Sequence, residues 1–179
     1  MKTNRIGTRL VAAFVLVALV SGAPAVAGKY TVEEKTDRLA EPEEERATIY
    51  IVRRAKAGAL IYFWSFADDQ LVGVTRGPGY NWAYLEPGQY TIWSKAENVS
   101  AITLEVEAGK TYYIRQTALP GFGKARVRTE LVSEQKWQDL MKKVKKISIP
   151  TEEGLEKARE LAAKHLGLAR EKAAKNEDD

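Results

Sequence analysis

The sequence predicts a mainly β protein, an antiparallel β-sandwich of about eight short strands with one packed helix and a C-terminal helix. Three observations predict it. Between Ala47 and Val132 the chain runs in short apolar stretches separated by Gly, Pro, Asp and Asn. Most of the aromatic residues fall in that span. Beyond it the apolar spacing changes to the three-and-four step of a helix, in Trp137, Leu140, Met141 and Val144.

The chain opens with Lys2, Arg5 and Arg9, then an unbroken apolar stretch from Leu10 to Val20, then Ser21, Gly22, Pro24 and Ala25-Val26-Ala27. A membrane-spanning helix needs roughly 20 apolar residues, and this stretch is too short. A basic head, a short apolar core and small residues before Gly28 form the pattern of a secretory signal peptide over residues 1–27, with cleavage expected after Ala27. The expected location is therefore periplasmic or secreted, away from nucleotide pools and nucleic acid.

The formal charge of +4 is carried largely by that leader. Of 28 lysines and arginines, Lys2, Arg5 and Arg9 fall within it, so the remaining chain nearly balances its 24 acids. The cationic face that nucleic-acid binding requires is not indicated. Cysteine is absent, which removes disulfides, a thiol nucleophile, a thiolate metal site and a cysteine-borne lipid anchor.

Residues 28–46 are dense in charge and almost without apolar residues after Val32. Such a segment cannot offset its ordering entropy by burial, so it reads as a flexible linker. The sandwich domain with its packed helix is expected over residues 47–146, and a C-terminal helical extension over 147–179.

Within the domain the expected strands are Thr48 to Arg53, Leu60 to Ala67, Leu71 to Thr75, Tyr80 to Leu85, Tyr90 to Lys95, Ala101 to Val106, Thr111 to Gln116 and Arg126 to Val132. Asp68-Asp69-Gln70 and Glu86-Pro87-Gly88-Gln89 carry turn chemistry, and both are read as hairpins. Ile102, Leu104 and Val106 alternate with Thr103 and Glu105, as in a strand with one face in the core. Leu60 to Phe66 does not alternate, so both of its faces need cover. The helix starting near Ser133 is expected to supply it. A second helix begins after Pro150 with Thr151 as N-cap and Glu152 and Glu153 at its positive end. Its stripe of Leu155, Ala158, Leu161, Ala162, Leu166 and Ala169 is thin, so it is expected to dock loosely or project. Together these elements suggest an immunoglobulin-like or transthyretin-like sandwich.

Three pieces carry a family resemblance: the opening strand Ala47-Thr48-Ile49-Tyr50-Ile51-Val52-Arg53, the turn Leu85-Glu86-Pro87-Gly88-Gln89-Tyr90-Thr91-Ile92, and Leu104-Glu105-Val106-Glu107-Ala108-Gly109-Lys110-Thr111-Tyr112-Tyr113-Ile114. In this order and spacing, over roughly Ala47 to Lys146, the chain resembles the bacterial family called domain of unknown function 2846. The resemblance implies an exported envelope protein with a compact β-sandwich, and it implies no reaction and no functional residues. This chain departs from the lipoproteins of that family in lacking a lipid-bearing cysteine and in carrying the helix after Thr151.

Candidate chemistry is sparse. His165 is the single histidine, and a triad or histidine metal cluster would have to be built on it. Asp68 and Asp69 could serve calcium or acid–base work, but turn chemistry accounts for them. Gly121-Phe122-Gly123-Lys124 resembles a phosphate loop only superficially, because the pattern needs a glycine where Ala118 stands. It reads instead as a flexible connection. Lys142, Lys143, Lys145 and Lys146 could touch an anionic membrane surface, or simply complement a helix C-terminus. Asn98-Val99-Ser100 is a glycosylation sequon by pattern.

If Leu85 pairs with Tyr90 across the Pro87-Gly88 turn, Trp82 falls opposite Trp93. Tyr80, Trp82, Tyr84 and Trp93 would then form an aromatic platform suited to a glycan, a peptide or a protein. The alternative is that these rings are core. The expected function is thus a non-catalytic exported envelope module, with binding or structural roles and no cofactor or metal. The competing expectations are a small extracytoplasmic hydrolase or ligand-modifying enzyme, and an assembly protein pairing through its C-terminal helix.

Overall fold

The computed structural model describes residues 26–36, 39–54, 59–144 and 146–177. The leader expected over residues 1–27 lies outside them apart from its last two residues. The protein is mainly β, with two sheets containing antiparallel strands and two helices among the described residues. All eight expected strands are present, as β3 (Ala47–Arg53), β4 (Tyr62–Ala67), β5 (Gln70–Arg76), β6 (Gly79–Leu85), β7 (Gly88–Lys95), β8 (Val99–Val106), β9 (Thr111–Leu119) and β10 (Arg126–Val132). Three more join them: β1 (Val26–Ala27), β2 (Thr31–Lys35) and β11 (Lys146–Pro150).

One sheet has the order β1-β2-β11-β6-β3-β9-β10, and the other β5-β4-β7-β8. The second is antiparallel throughout, whereas the first contains two parallel pairings, β3 with β9 and β11 with β6. The sheets face one another across Ile49, Ile51, Leu85, Ile92, Leu104 and Ile114. Alternation sets the faces: Ile49 and Ile51 point to this shared core, while Tyr50 and Val52 point the other way.

Residues 31–35, expected in the linker, form a sheet strand. β2 runs antiparallel to β11, with Ser148 opposite Glu33, and Lys146 is ion-paired to Glu33 at 3.1 Å. The charged side chains of β2 conceal a strand whose backbone is held by a partner more than a hundred residues away. The expected Trp82–Trp93 hairpin register is also corrected. Trp82 pairs with Tyr50 on β3, and Trp93 pairs with Phe66 on β4 and Ala101 on β8. The Pro87-Gly88 connection therefore carries the chain from one sheet to the other. The Asp68 turn, by contrast, does close a hairpin, with Asp68 at a positive φ of 50° that aspartate tolerates.

The helix α1 (Glu134–Met141) is capped by Ser133, whose hydroxyl accepts from the Lys136 amide at 3.3 Å. Its stripe is buried as expected, but on the seven-stranded sheet. Trp137 stacks on Tyr113 at 4.7 Å and leans on Tyr50 at 5.1 Å. The outer face of β4 is covered instead by α2 (Glu152–Glu177), the helix expected to be loose. Thr151 caps it by accepting from the Gly154 amide at 3.1 Å. Ala158, Leu161, Ala162, Ala169 and Ala173 are buried against Trp64, Phe66, Val74, Trp93 and Ala101. Small residues on the helix fit bulky rings on the sheet, and this size complementarity makes a thin alanine stripe sufficient.

Two outcomes follow. Trp93→Ala, which deletes a fully buried ring stacked on Phe66 at 4.2 Å, is expected to cost about 3–5 kcal/mol in equilibrium urea unfolding. Truncation after Pro150 is expected to bare Phe66 and Trp93, read as binding of a hydrophobic dye and loss of a cooperative transition. A truncated chain that unfolds as sharply as the whole would contradict the role given to α2.

Candidate functional site

The interior between the sheets is polar at one end. Gln116 is buried and donates from Nε2 to Ser65 Oγ at 2.7 Å and to Ser94 Oγ at 2.9 Å, while its Oε1 accepts from Thr75 at 3.3 Å. Beside this group Arg53, also buried, lies 3.7 Å over the Phe63 ring and donates to the Ile61 carbonyl at 2.9 Å. Burial pushes its guanidinium down to about 10. This network ties β3, β4, β5, β7 and β9 together, and hydrogen bonds in a low-dielectric interior hold such strands firmly.

Above it lies a cluster of loops. Because β3 and β9 run parallel with Arg53 opposite Gln116, the loops that follow them leave the same end of the fold. The turn after β7 joins them there. Its Glu97 carboxylate accepts from the backbone amides of Phe122, Gly123 and Lys124 at 3.0, 3.0 and 2.6 Å. These three hydrogen bonds lower the Glu97 carboxyl to about 2. The segment that superficially resembled a phosphate loop is thus an anion-holding nest, and the anion it holds is the protein's own glutamate. The expected flexible connection is a latched loop.

A shallow open groove of about 430 Å³ runs along this loop, lined by Ile61, Leu119, Pro120 and Phe122 among others. Phe122 is fully exposed, and Leu60 beside the groove is 78% exposed. Arg54, Lys124 and Arg126 are exposed at the same end of the fold. Lys95, at the same end, donates to the Ala96 and Glu97 carbonyls, and its pKa is lowered by burial and then by the charges of Lys124 and Lys164, with Glu97 opposing.

The platform residues are not brought together. Tyr80 is buried under α1 and Trp93 under α2, so these two belong to the core on opposite sides of the molecule. Trp82 and Tyr84 remain half-buried neighbours with rings 5.2 Å apart. The Tyr84 hydroxyl donates to the Glu41 carbonyl at 2.6 Å, and Arg46 lies 4.6 Å over its ring. His165 is half-buried on α2, and its pKa is lowered by burial and then by Lys95, Lys164 and Lys157. Among the cationic residues of the expected membrane patch, Lys142 pairs with Asp139 and Lys146 with Glu33, Lys143 is exposed, and Lys145 lies outside the described residues. Asp68 is engaged locally, its carbonyl accepting from Trp93 Nε1 at 2.7 Å and its carboxylate 3.5 Å from Arg170. The Asn98 amide is clasped by the Val127 backbone at 2.7 and 2.9 Å.

A mainly β protein with two facing sheets, a helix on each outer face and a latched loop at one end is therefore the class that fold and site define. Residues 43–128 match the family model described as protein of unknown function (DUF2846), which is the family whose resemblance the sequence motifs carry. The matched stretch holds β3 to the beginning of β10. An uncharacterized protein of Haemophilus influenzae is 26% identical over 136 residues, covering 74% of this chain and 81% of that protein.

The latch has a pH signature. With the folded Glu97 carboxyl lowered to about 2 from an ordinary 4.5, its contribution to stability is complete above about pH 4.5 and is lost as pH falls toward 2. Glu97→Ala is expected to flatten that part of the stability–pH curve and to speed proteolytic cutting in the loop at residues 120–125. An unchanged curve and unchanged cutting would show that the latch does not hold the loop.

Proposed function

We propose that the protein is an exported, non-catalytic module of the bacterial envelope, which binds through the loop end carrying Leu60 and Phe122. The observation that carries this reading is the contrast between the two kinds of group. Of the polar side chains with displaced pKa values, Arg53 is buried inside the fold, Glu97 is taken up by three loop amides, and His165 lies near the cations Lys95, Lys164 and Lys157. Catalysis calls for such groups to converge on one pocket. The two most exposed large apolar residues among those described, Phe122 and Leu60, by contrast, fall at the groove end, Phe122 lining the groove and Leu60 next to the lining residue Ile61, while the less exposed Leu39, Leu131 and Leu168 are scattered over other elements. Such a local concentration suits a contact surface.

In this reading the facing sheets make a β-sandwich scaffold of the immunoglobulin-like or transthyretin-like kind. Assembly through the C-terminal helix is less favoured, because α2 already uses its apolar stripe against the sheet. Export is supported by the charge and apolar pattern of residues 1–27. Cleavage after Ala27 would remove the two-residue β1 and leave β2 at the sheet edge. Its Glu33 and Glu34 are the charges that discourage edge-to-edge pairing.

Mass spectrometry of the protein recovered from a bacterial envelope fraction is expected to find Gly28 as its first residue. Recovery from the cytosol with Met1 and the leader intact would sink the export reading.

A further inference from the structure

The loop end combines features that a folded partner and a lipid surface would use differently. Phe122 is 105% exposed, at the crest of a loop whose backbone is held by Glu97. The neighbouring Leu60 stands 78% clear of the fold. A knob of this kind needs a matching hole in a protein partner, whereas the headgroup boundary of a bilayer accepts it without shape complementarity.

Charge points the same way. Exposed Arg54, Lys124 and Arg126 lie at the same end of the fold, just after β3, in the loop itself and at the start of β10, and the carboxylate of Glu97 in the loop nest is already engaged by three amides. The opposite end of the fold, reached by the β4–β5, β6–β7 and β8–β9 turns, presents exposed Asp69, Glu86 and Glu105, together with Glu107 paired to exposed Lys110 at 2.7 Å. A chain that is nearly neutral in sum is thus polarised along its strands. An anionic surface would attract the Phe122 end and repel the other.

We infer that this end docks on the anionic surface of a phospholipid bilayer, with Phe122 and Leu60 entering the headgroup boundary and Arg54, Lys124 and Arg126 facing the phosphates. The inference rests on the binding-module reading in that it uses the same groove, and it names the partner. Attachment by a few side chains is reversible and sensitive to salt.

The absence of cysteine permits a direct test on the full chain. A Cβ at Gly123 meets nothing within 4 Å, so Gly123→Cys can carry an environment-sensitive fluorophore without disturbing Phe122. Asp69→Cys serves as the control at the far end. Vesicles containing phosphatidylglycerol are expected to shift the emission of the Gly123→Cys probe to the blue, pure phosphatidylcholine vesicles to leave it unchanged, and the Asp69→Cys probe to respond to neither.

Adding Phe122→Ala should weaken partitioning by at least about tenfold without altering the melting temperature. Lys124→Gln should weaken it by about fivefold. The inference is overturned by an equal response to both lipids, by equal responses at both probe positions, by no response, or by indifference to Phe122→Ala. Protection of the loop by a protein partner with lipid absent would overturn it too. A silent probe on a chain processed at Ala27 refutes the lipid surface and leaves export standing, whereas a responsive probe on an unprocessed chain does the reverse.

Discussion

Two sheets with apolar side chains on both faces impose the central constraint on this protein. One face of each sheet is satisfied by the other sheet, through Ile49, Ile51, Leu85, Ile92 and Leu104. The remaining faces carry Tyr50, Val52 and Tyr80 on one side and Trp64, Phe66 and Trp93 on the other. Burying rings of this size contributes roughly 1.5–3 kcal/mol each, so neither face can be left to water. Each therefore takes a helix, and the order of layers follows from that requirement. The Gln116 network and Arg53 sit inside this frame, fixing the strands whose ends carry the loops.

Much of this was legible in the sequence. Strand positions from β3 to β10 follow from apolar runs between turn residues, and the Trp137 helix follows from its period and its Ser133 cap. What period two supplies is the face of each residue, not the identity of the neighbouring strand. Hence Pro87-Gly88 was recognisable as a turn, while the passage it makes between sheets was not. The outer faces of β6 and β7 consequently ended on opposite sides of the molecule. β2 and β11 escaped notice because Glu33, Glu34 and Lys146 give them a surface composition, and their pairing is set by contacts distant in sequence.

The loop end was legible only in part. Gly121-Phe122-Gly123-Lys124 reads in sequence as a flexible connection with a superficial likeness to a phosphate loop, because the group that binds its amides, Glu97, lies on another turn. Likewise Leu60 belongs to an apolar run that reads as strand, and the exposure of its first residue depends on where β4 begins, at Tyr62. α2 was misjudged for a related reason. Alanine contributes little hydrophobic area of its own, and its value here is that it admits the rings of the sheet to close range.

The pairing of β2 with β11, and the seating of Ala169 and Ala173 on the second sheet, give the protein a particular order of events during synthesis. The seven-stranded sheet cannot close across β11 until residue 150 is available, and the opposite sheet stays uncovered until the last turns of the final helix emerge from the ribosome. Topologies governed by such distant contacts fold slowly. The strands of the second sheet can pair early, since they all lie between residues 62 and 106, but the layers that shield both outer faces are completed by the most C-terminal of the described elements, so cover arrives after the surfaces it protects.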